Sequence, residues 1–393
     1  MAEATLIYSP RLLDIGGGAV RRTAALCRRF GLSRPLIVTD PYMIHSRLIS
    51  ALTDTLSAAS IEFEIFSDTV ADPTDEVVNA GVKLLNAGHF DAIIAFGGGS
   101  PIDTAKAINI LAHARRIAAH ARMRDYKLPA IADHAALPLI AIPTTAGTGS
   151  EVTRFTVVTD SGLDEKMLIS GLGALPFAAI VDYQLTLDMP PRLTADTGID
   201  SFTHALEAFV SRQANANSDL FARSALSLIG THLKAAYAEP HNHAAREAMM
   251  LGATHAGIAC SVAPVALVHG MARPIGAHFH VPHGLSNAMM LPAVTAYSLL
   301  SALQRYAEVA RLVGFAMETD DDERAGLKLV AGLREMNRDL AVPSPKAYGI
   351  SAHSWHEKKA LMAQQALASG SPANNPRVPT KADIETLYEQ VFE

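Results

Sequence analysis

The sequence predicts two joined architectures, an α/β domain built on a parallel sheet followed by a domain made only of helices. Three observations carry this. The first half alternates short apolar runs with amphipathic stretches, and the second half loses its β-branched runs. At 393 residues, the chain also exceeds the roughly 250–300 residues at which one hydrophobic core stops growing. In the first half, PLIVTD, IEFEIFSD, DAIIAFGGGS and LPLIAIPTT each end in a polar or glycine-rich turn. Such runs mark parallel strands joined by helical crossovers. Beyond Pro190, DTGIDSFTHALEAFVSRQ and SALQRYAEVARLVGFAME carry their apolar residues at helical spacing. The boundary falls in MPPRL, Met189 to Leu193, because two prolines stop one element and preset the first turn of the next. The prediction is an α/β domain over residues 1–190 and an all-α domain over 191–393. Near the C-terminus, ASGSPANNPRVPT reads as a connection to a last helix starting near Lys381.

Charge and cysteine usage exclude several functions. Lys plus Arg number 33 against 39 Asp plus Glu, a net charge of −6, which offers no basic field for a phosphate backbone. Cys27 and Cys260 are the only cysteines and form no C-x-x-C pattern, so neither a disulfide framework nor a thiolate zinc site is expected. The N-terminus has Glu3 and no basic stretch leading into an apolar core, so a cytoplasmic chain without a leader is expected. From Ala248 to Ala272 no Asp, Glu, Lys or Arg occurs, enough length to span a bilayer. Gly252, His255, Gly257, Pro264, His269 and Gly270 interrupt it, however, and it reads as buried helices around a site.

Strand DAIIAF runs into Gly97-Gly98-Gly99. The sequence then places Ser100 as a helix N-cap, Pro101 at the first helical position and Asp103 at the third. Glycines admit a close phosphate, and free N–H groups with the helix dipole favour an anion. A second turn, Thr144-Thr145-Ala146-Gly147-Thr148-Gly149-Ser150-Glu151, ends LPLIAIP, and two such loops at the carboxyl ends of parallel strands suit a dinucleotide. Asp40, ending PLIVTD, stands where a carboxylate accepts from an adenosine ribose and repels a 2′-phosphate, which favours NAD over NADP. Lys166 is either a solvated lysine or one that reaches the ribose or a phosphate.

Asp200 and His204 lie four apart on GIDSFTHALEAF and project from one helix face, close enough to chelate one ion. His269 in LVHG and His283 in VPHG form a second pair in a region almost free of charge, where a histidine is costly without a partner. One carboxylate and three imidazoles suit iron, zinc, cobalt or nickel, with a position left open, rather than calcium or magnesium.

Taken in order, GGGSPIDTAKA, PTTAGTGSEVT, GIDSFTHALEAF, LVHGMARPIGA and HVPHGLSNAMMLP resemble the iron-containing (group III) alcohol dehydrogenase family over nearly the whole chain. The resemblance implies a Rossmann-like N-terminal domain and a helical C-terminal domain enclosing the active-site cleft, an architecture shared with dehydroquinate synthase. It implies that Asp200, His204, His269 and His283 ligate a divalent metal, usually iron and sometimes zinc. It implies that Gly97, Gly98, Gly99, Ser100, Asp103, Thr144, Thr145, Thr148 and Lys166 contact the dinucleotide, and that the protein is a homo-oligomer. The implied reaction is hydride transfer between an alcohol or aldehyde and nicotinamide, with the metal polarising the substrate oxygen.

Two departures stand out. Arg273 occupies the place where many members carry a histidine assigned to proton transfer or the substrate pocket. It is the only Asp, Glu, Lys or Arg between Glu247 and Arg305, and it cannot act as general acid or base. Its fork of donors suits an anionic group on the substrate or, equally, a protein carboxylate or the rim of the cleft. Cys260 replaces a common bulky aromatic and reads as a core or pocket thiol rather than a nucleophile. A proton route through water and the cofactor ribose, or through His280, is left open. A metal-dependent lyase or hydrolase on the same scaffold, and a non-catalytic dinucleotide binder, remain as alternatives.

Overall fold

The structure, a computed structural model, describes residues 6–163 and 165–393. The expectation of a chain without a leader falls partly on residues 1–5 and lies outside them. Two compact units are present, Tyr8–Asp188 and Met189–Glu393. The α/β unit followed by an all-helical unit is the fold class that the sequence predicts.

In the first unit, strands β1 (Leu12–Ile15), β2 (Pro35–Val38), β3 (Glu64–Phe66), β4 (Ala92–Gly97), β5 (Leu139–Pro143) and β8 (Ala178–Val181) form one sheet. Its order is β1-β8-β5-β4-β2-β3, and every pairing is parallel. Successive side chains in a strand point to opposite faces, and here both faces are covered. Leu36, Val38, Ile93 and Ala95 pack beneath helices α4 (Asp75–Ala87) and α5 (Gly99–Ile117). Ile37, Ile94, Phe96, Ile140 and Ile142 pack against α1 (Thr23–Arg29) and α3 (Ser50–Ala58). This two-sided burial explains the unbroken apolar runs in the sequence. Helix α2 (Pro41–His45) follows β2 directly. The chain runs outward from β2 to β3 and then returns to place β4 on the other side of β2. The switch point between β2 and β4 is where open α/β sheets bind ligands.

A purely parallel reading of the first half is incomplete. Strands β6 (Phe155–Asp160) and β7 (Glu165–Ser170) pair antiparallel as a separate two-stranded sheet. Val158, Met167 and Ile169 bury one face of this hairpin in the α5 side of the core. Its signal was the alternation of FTVVTD and EKMLIS around Ser161-Gly162.

In the second unit, α6 (Pro191–Val210) starts with Pro191 at its first position and Pro190 as cap. It is buried along almost its whole length and packs against α7 (Ala216–Ala238), α8 (His243–Val262) and α10 (His283–Ser298). A helix buried on every side must be apolar or small nearly all round, and its polar residues then need partners. Helix α9 (Leu267–Phe279) follows α8 after a bend of 104°. No single helix among the described residues is long and apolar enough to cross a membrane, and the charge-free stretch from Ala248 is split between these two bent helices. The unit closes with α11 (Leu303–Leu312), α12 (Asp322–Asp339), α13 (Pro345–Tyr348), α14 (Ala352–Ala368) and α15 (Lys381–Val391). Thr380 caps α15 through a reciprocal box with Asp383.

Candidate functional site

Helices α6, α9 and α10 bring the four metal candidates to one place. Asp200 Oδ1 lies 3.5 Å from His269 Nε2, 3.7 Å from His283 Nε2 and 4.0 Å from His204 Nε2. Ligands sharing an ion about 2.0–2.2 Å away in tetrahedral geometry stand roughly 3.4 Å apart. Asp200, His269 and His283 form the tight triad, each offering an atom within 4.8 Å of the others. His204 stands beside it, its ring stacked on His269 with centroids 4.5 Å apart.

Two residues absent from the sequence reading hold this cluster. Glu207 sits three residues after His204 on α6, where it is buried, and its carboxylate accepts from the backbone N–H of Ala266 at 2.9 Å and of Val268 at 2.6 Å. It therefore caps α9, whose own N-cap, Ala266, offers no side chain for that purpose. Its Oε2 also accepts from His269 Nδ1 at 2.6 Å. A carboxylate partner puts the proton on Nδ1 and turns the Nε2 lone pair toward Asp200. Asn287, one turn after His283, donates from Nδ2 to Asp200 Oδ1 at 2.6 Å and lies 3.3 Å from His283 Nε2. The signal for Glu207 was its place on the Asp200 helix face, seven residues on; for Asn287 it was the i, i+4 relation to His283.

Electrostatics favour a cation. Burial works against ionised Asp200, but His204, His283 and His269 outweigh it and hold its carboxyl well below the usual range. Burial pushes His204 down to about 4, so it is a neutral donor at pH 7. His269 is also opposed by burial, yet Glu207 and Asp200 raise it above its ordinary value. The buried His269 Nε2 and His204 Nδ1 have no hydrogen-bond partner, a costly state for polar atoms unless a ligand satisfies them. One carboxylate and three imidazoles, with an orphaned ring nitrogen among them, fit a divalent transition ion.

Arg273 lies one turn beyond His269 on α9, and its Nη1 donates to Ser371 Oγ at 3.0 Å. No protein carboxylate holds it in an ion pair, so that earlier option is not realised among the described residues. His280 is exposed at the C-cap of α9 in the left-handed conformation. Cys260 is buried and its thiol donates to Gly257 O, as expected of a core thiol.

In the first unit the two glycine-rich turns are neighbours. Strand β4 pairs with β5, and Thr144 N donates to Gly97 O at 2.9 Å. A side chain at Gly97, where φ is +148°, would strike Pro101 at 2.5 Å, and one at Gly99 would meet Thr148 Cγ2 at 2.8 Å. Both turns therefore depend on glycine for their close approach. Thr144 Oγ1 is buried without a partner, while Thr145 and Thr148 are half-buried.

One expectation changes here, and three residues gain local partners. Helix α5 begins at Gly99 with Gly98 as its cap, so Ser100 is inside the first turn rather than the cap, and no side chain caps that end. Its first N–H groups are left for another acceptor. Asp103 points inward: Oδ1 accepts from Ser150 Oγ at 2.7 Å and Oδ2 from Val157 N at 2.9 Å, and burial raises its carboxyl above the usual range. It fastens the second loop. Lys166 Nζ is paired with Asp72 Oδ1 at 2.7 Å. Asp40 caps α2 through Oδ1, which accepts from Met43 N at 3.0 Å, while Oδ2 lies on the Gly97 side.

Sequence reasoning also passed over Lys106, which is fully buried. Its Nζ donates to Ser150 Oγ at 3.0 Å, Thr153 O at 3.0 Å and Phe155 O at 2.7 Å. With Asp103 it ties the helix after the first loop to the segment after the second. The apolar company of Lys106 in TAKAINIL was its only signal.

A parallel sheet with paired glycine turns, joined in sequence to helices that gather one carboxylate and three imidazoles, defines a metal-dependent dehydrogenase. The chain belongs to the iron-containing alcohol dehydrogenase family, whose model matches residues 10–183, with the C-terminal model of the same Fe-containing family matching residues 194–392. Over 389 residues it is 33% identical to the NAD-dependent methanol dehydrogenase of Bacillus methanolicus, covering 99% of this chain and 100% of that one. It is 35% identical to the lactaldehyde reductase of Escherichia coli strain K12, covering 96% and 97%. A solved 1,3-propanediol oxidoreductase superposes with a TM-score of 0.93 at 31% identity, covering 99% and 100%.

Proposed function

We propose that this chain is an NAD-dependent, divalent-metal-dependent alcohol dehydrogenase and aldehyde reductase. The observation that carries this is the convergence of Asp200, His204, His269 and His283 around orphaned buried nitrogens, backed by Glu207. Iron is the metal the family description supports, and the donor set also accepts zinc. When bound, the metal supplies Lewis acidity at the substrate oxygen and the nicotinamide supplies the hydride acceptor. The chain's own residues prepare that chemistry. Glu207 fixes the His269 tautomer, Asn287 fixes Asp200, and burial keeps His204 unprotonated at neutral pH. Arg273 stays protonated and takes no proton, so the hydroxyl proton leaves through water and the cofactor ribose or through His280.

In the first unit, the uncapped start of α5 and the neighbouring Thr144, Thr145 and Thr148 hold the pyrophosphate, and the free Asp40 oxygen takes the adenosine ribose. Gly97, Gly98 and Gly99 keep that approach open. The lyase, hydrolase and non-catalytic readings are not favoured, because the full-length relatives are named dehydrogenases and reductases. We also infer a cytoplasmic homo-oligomer; the buried Cys27 and Cys260, which form no disulfide, support a reducing compartment, and light scattering tests the assembly.

The decisive experiment follows nicotinamide absorbance with iron- or zinc-reconstituted protein and a panel of primary alcohols and aldehydes. Turnover that requires both metal and NAD is expected. His204→Ala should lose metal and turnover while NAD still binds. Absence of any metal-dependent absorbance change across the panel overturns the reading.

A further inference from the structure

Two arginines of the helical unit show how fully a guanidinium can be engaged within the protein. Arg246, buried in α8, donates to Pro240 O, Thr194 Oγ1 and Met189 O. Arg305 pairs with Asp219 and also donates to Phe209 O. Arg273 is engaged less fully than these two. It has five N–H donors, yet the described structure gives it one neutral partner, the Ser371 hydroxyl at 3.0 Å. Burial lowers the guanidinium's pKa, and the Glu207 carboxylate opposes this. Glu207 is itself occupied by two backbone N–H groups and His269 Nδ1. The guanidinium also acts electrostatically on His204. It is therefore a cation beside the metal centre, partly accessible, with donors to spare.

We propose that Arg273 is a specificity-determining residue that binds an anionic group on the substrate while the reacting oxygen of that substrate faces the Asp200, His204, His269 and His283 cluster. This rests on the dehydrogenase reading and names its substrate class: short aldehydes or alcohols that carry a carboxylate or a comparable oxoanion. Residues one helical turn apart have Cβ atoms roughly 5–6 Å apart, so Arg273 and His269 share one face of α9. In the reductive direction the carbonyl carbon gains hydride from NADH and its oxygen gains a proton from water. The carboxylate is unchanged, and the products are a hydroxy acid and NAD. The planar guanidinium fork matches a carboxylate through two parallel hydrogen bonds, which a lysine ammonium does not reproduce.

The test compares succinate semialdehyde with pentanal, similar in length but uncharged, and measures succinate binding by calorimetry on metal-loaded protein. Charge-assisted hydrogen bonds predict a kcat/KM advantage of roughly ten- to a hundred-fold for the semialdehyde in the native protein. In Arg273→Met the semialdehyde-to-pentanal ratio should fall at least about ten-fold and succinate affinity should fall with it, while metal content by elemental analysis stays the same. Arg273→Lys should retain part of the preference. If Arg273→Met does not fold, Arg273→Lys decides: a reduced ratio supports the proposal and an unchanged ratio overturns it. The proposal is also overturned if the native protein prefers pentanal, or if succinate binds Arg273→Met as tightly as the native chain. Arg273-dependent succinate binding in a protein that oxidises no alcohol would keep the anion site and overturn the dehydrogenase reading instead.

Discussion

Glu207 does two tasks with one carboxylate, since it caps α9 and orients His269. Glu207→Gln keeps the shape but loses the charge and must turn an amide N–H toward one of its donors. Changes of this kind behind a metal-bound histidine typically cost about 10–100-fold in metal affinity. Chelator competition should show that loss with the helical fold retained by circular dichroism; unchanged affinity would remove Glu207 from the centre. Asp40 offers a second residue-scale prediction. Serine also caps helices, so Asp40→Ser preserves the start of α2 while removing the charge that opposes a 2′-phosphate. The NADP-to-NAD ratio of kcat/KM should rise by about ten-fold or more, and a constant ratio would mean that another group discriminates between the cofactors.

At the scale of elements, the two glycine-rich loops depend on α5. Lys106 and Asp103, three residues apart on that helix, hold Ser150, Thr153, Phe155 and Val157 from within the core. In Lys106→Met the volume is kept, but several acceptors lose their donor and Asp103 loses its nearby positive charge. Breaking a buried charge pair from one side costs about 3–5 kcal/mol. Urea unfolding of the first unit should report a loss of that size, and NAD affinity should weaken because Thr144, Thr145 and Thr148 lose their anchor. A loss under about 1 kcal/mol would show that protonation of Asp103 and water repair the site.

On the scale of the whole molecule, the two units carry separate ligand sites and should respond separately. A ion that binds only the folded state adds stability by mass action. Treatment with a chelator should speed amide exchange in α6 and at the start of α9 and α10, while β4 and β5 keep their protection. NAD should slow exchange around the two glycine-rich loops in chelated and metal-loaded protein alike. Uniform loss of protection in both units after chelation would contradict independent sites.

The sequence alone determined which residue types could do chemistry, because spacing along one element is a local property. Asp200 and His204 share a face of α6 whatever packs around it, and Gly97 to Gly99 must form a turn at the end of an apolar strand. The runs of Val, Ile, Leu and Ala likewise read directly as two-faced parallel strands or buried helices. Only the tertiary structure decided what those residues face. Glu207 looks like an ordinary helical glutamate until α9 places Ala266, Val268 and His269 around it, across 59 to 62 residues of sequence. The partners of Asp103 and Lys166, namely Ser150 and Val157 for one and Asp72 for the other, likewise come from distant segments. A hydrogen bond is short and directional, so its partner is set by which segments fold together; the apolar pattern records that a surface is buried but not which polar atoms meet there.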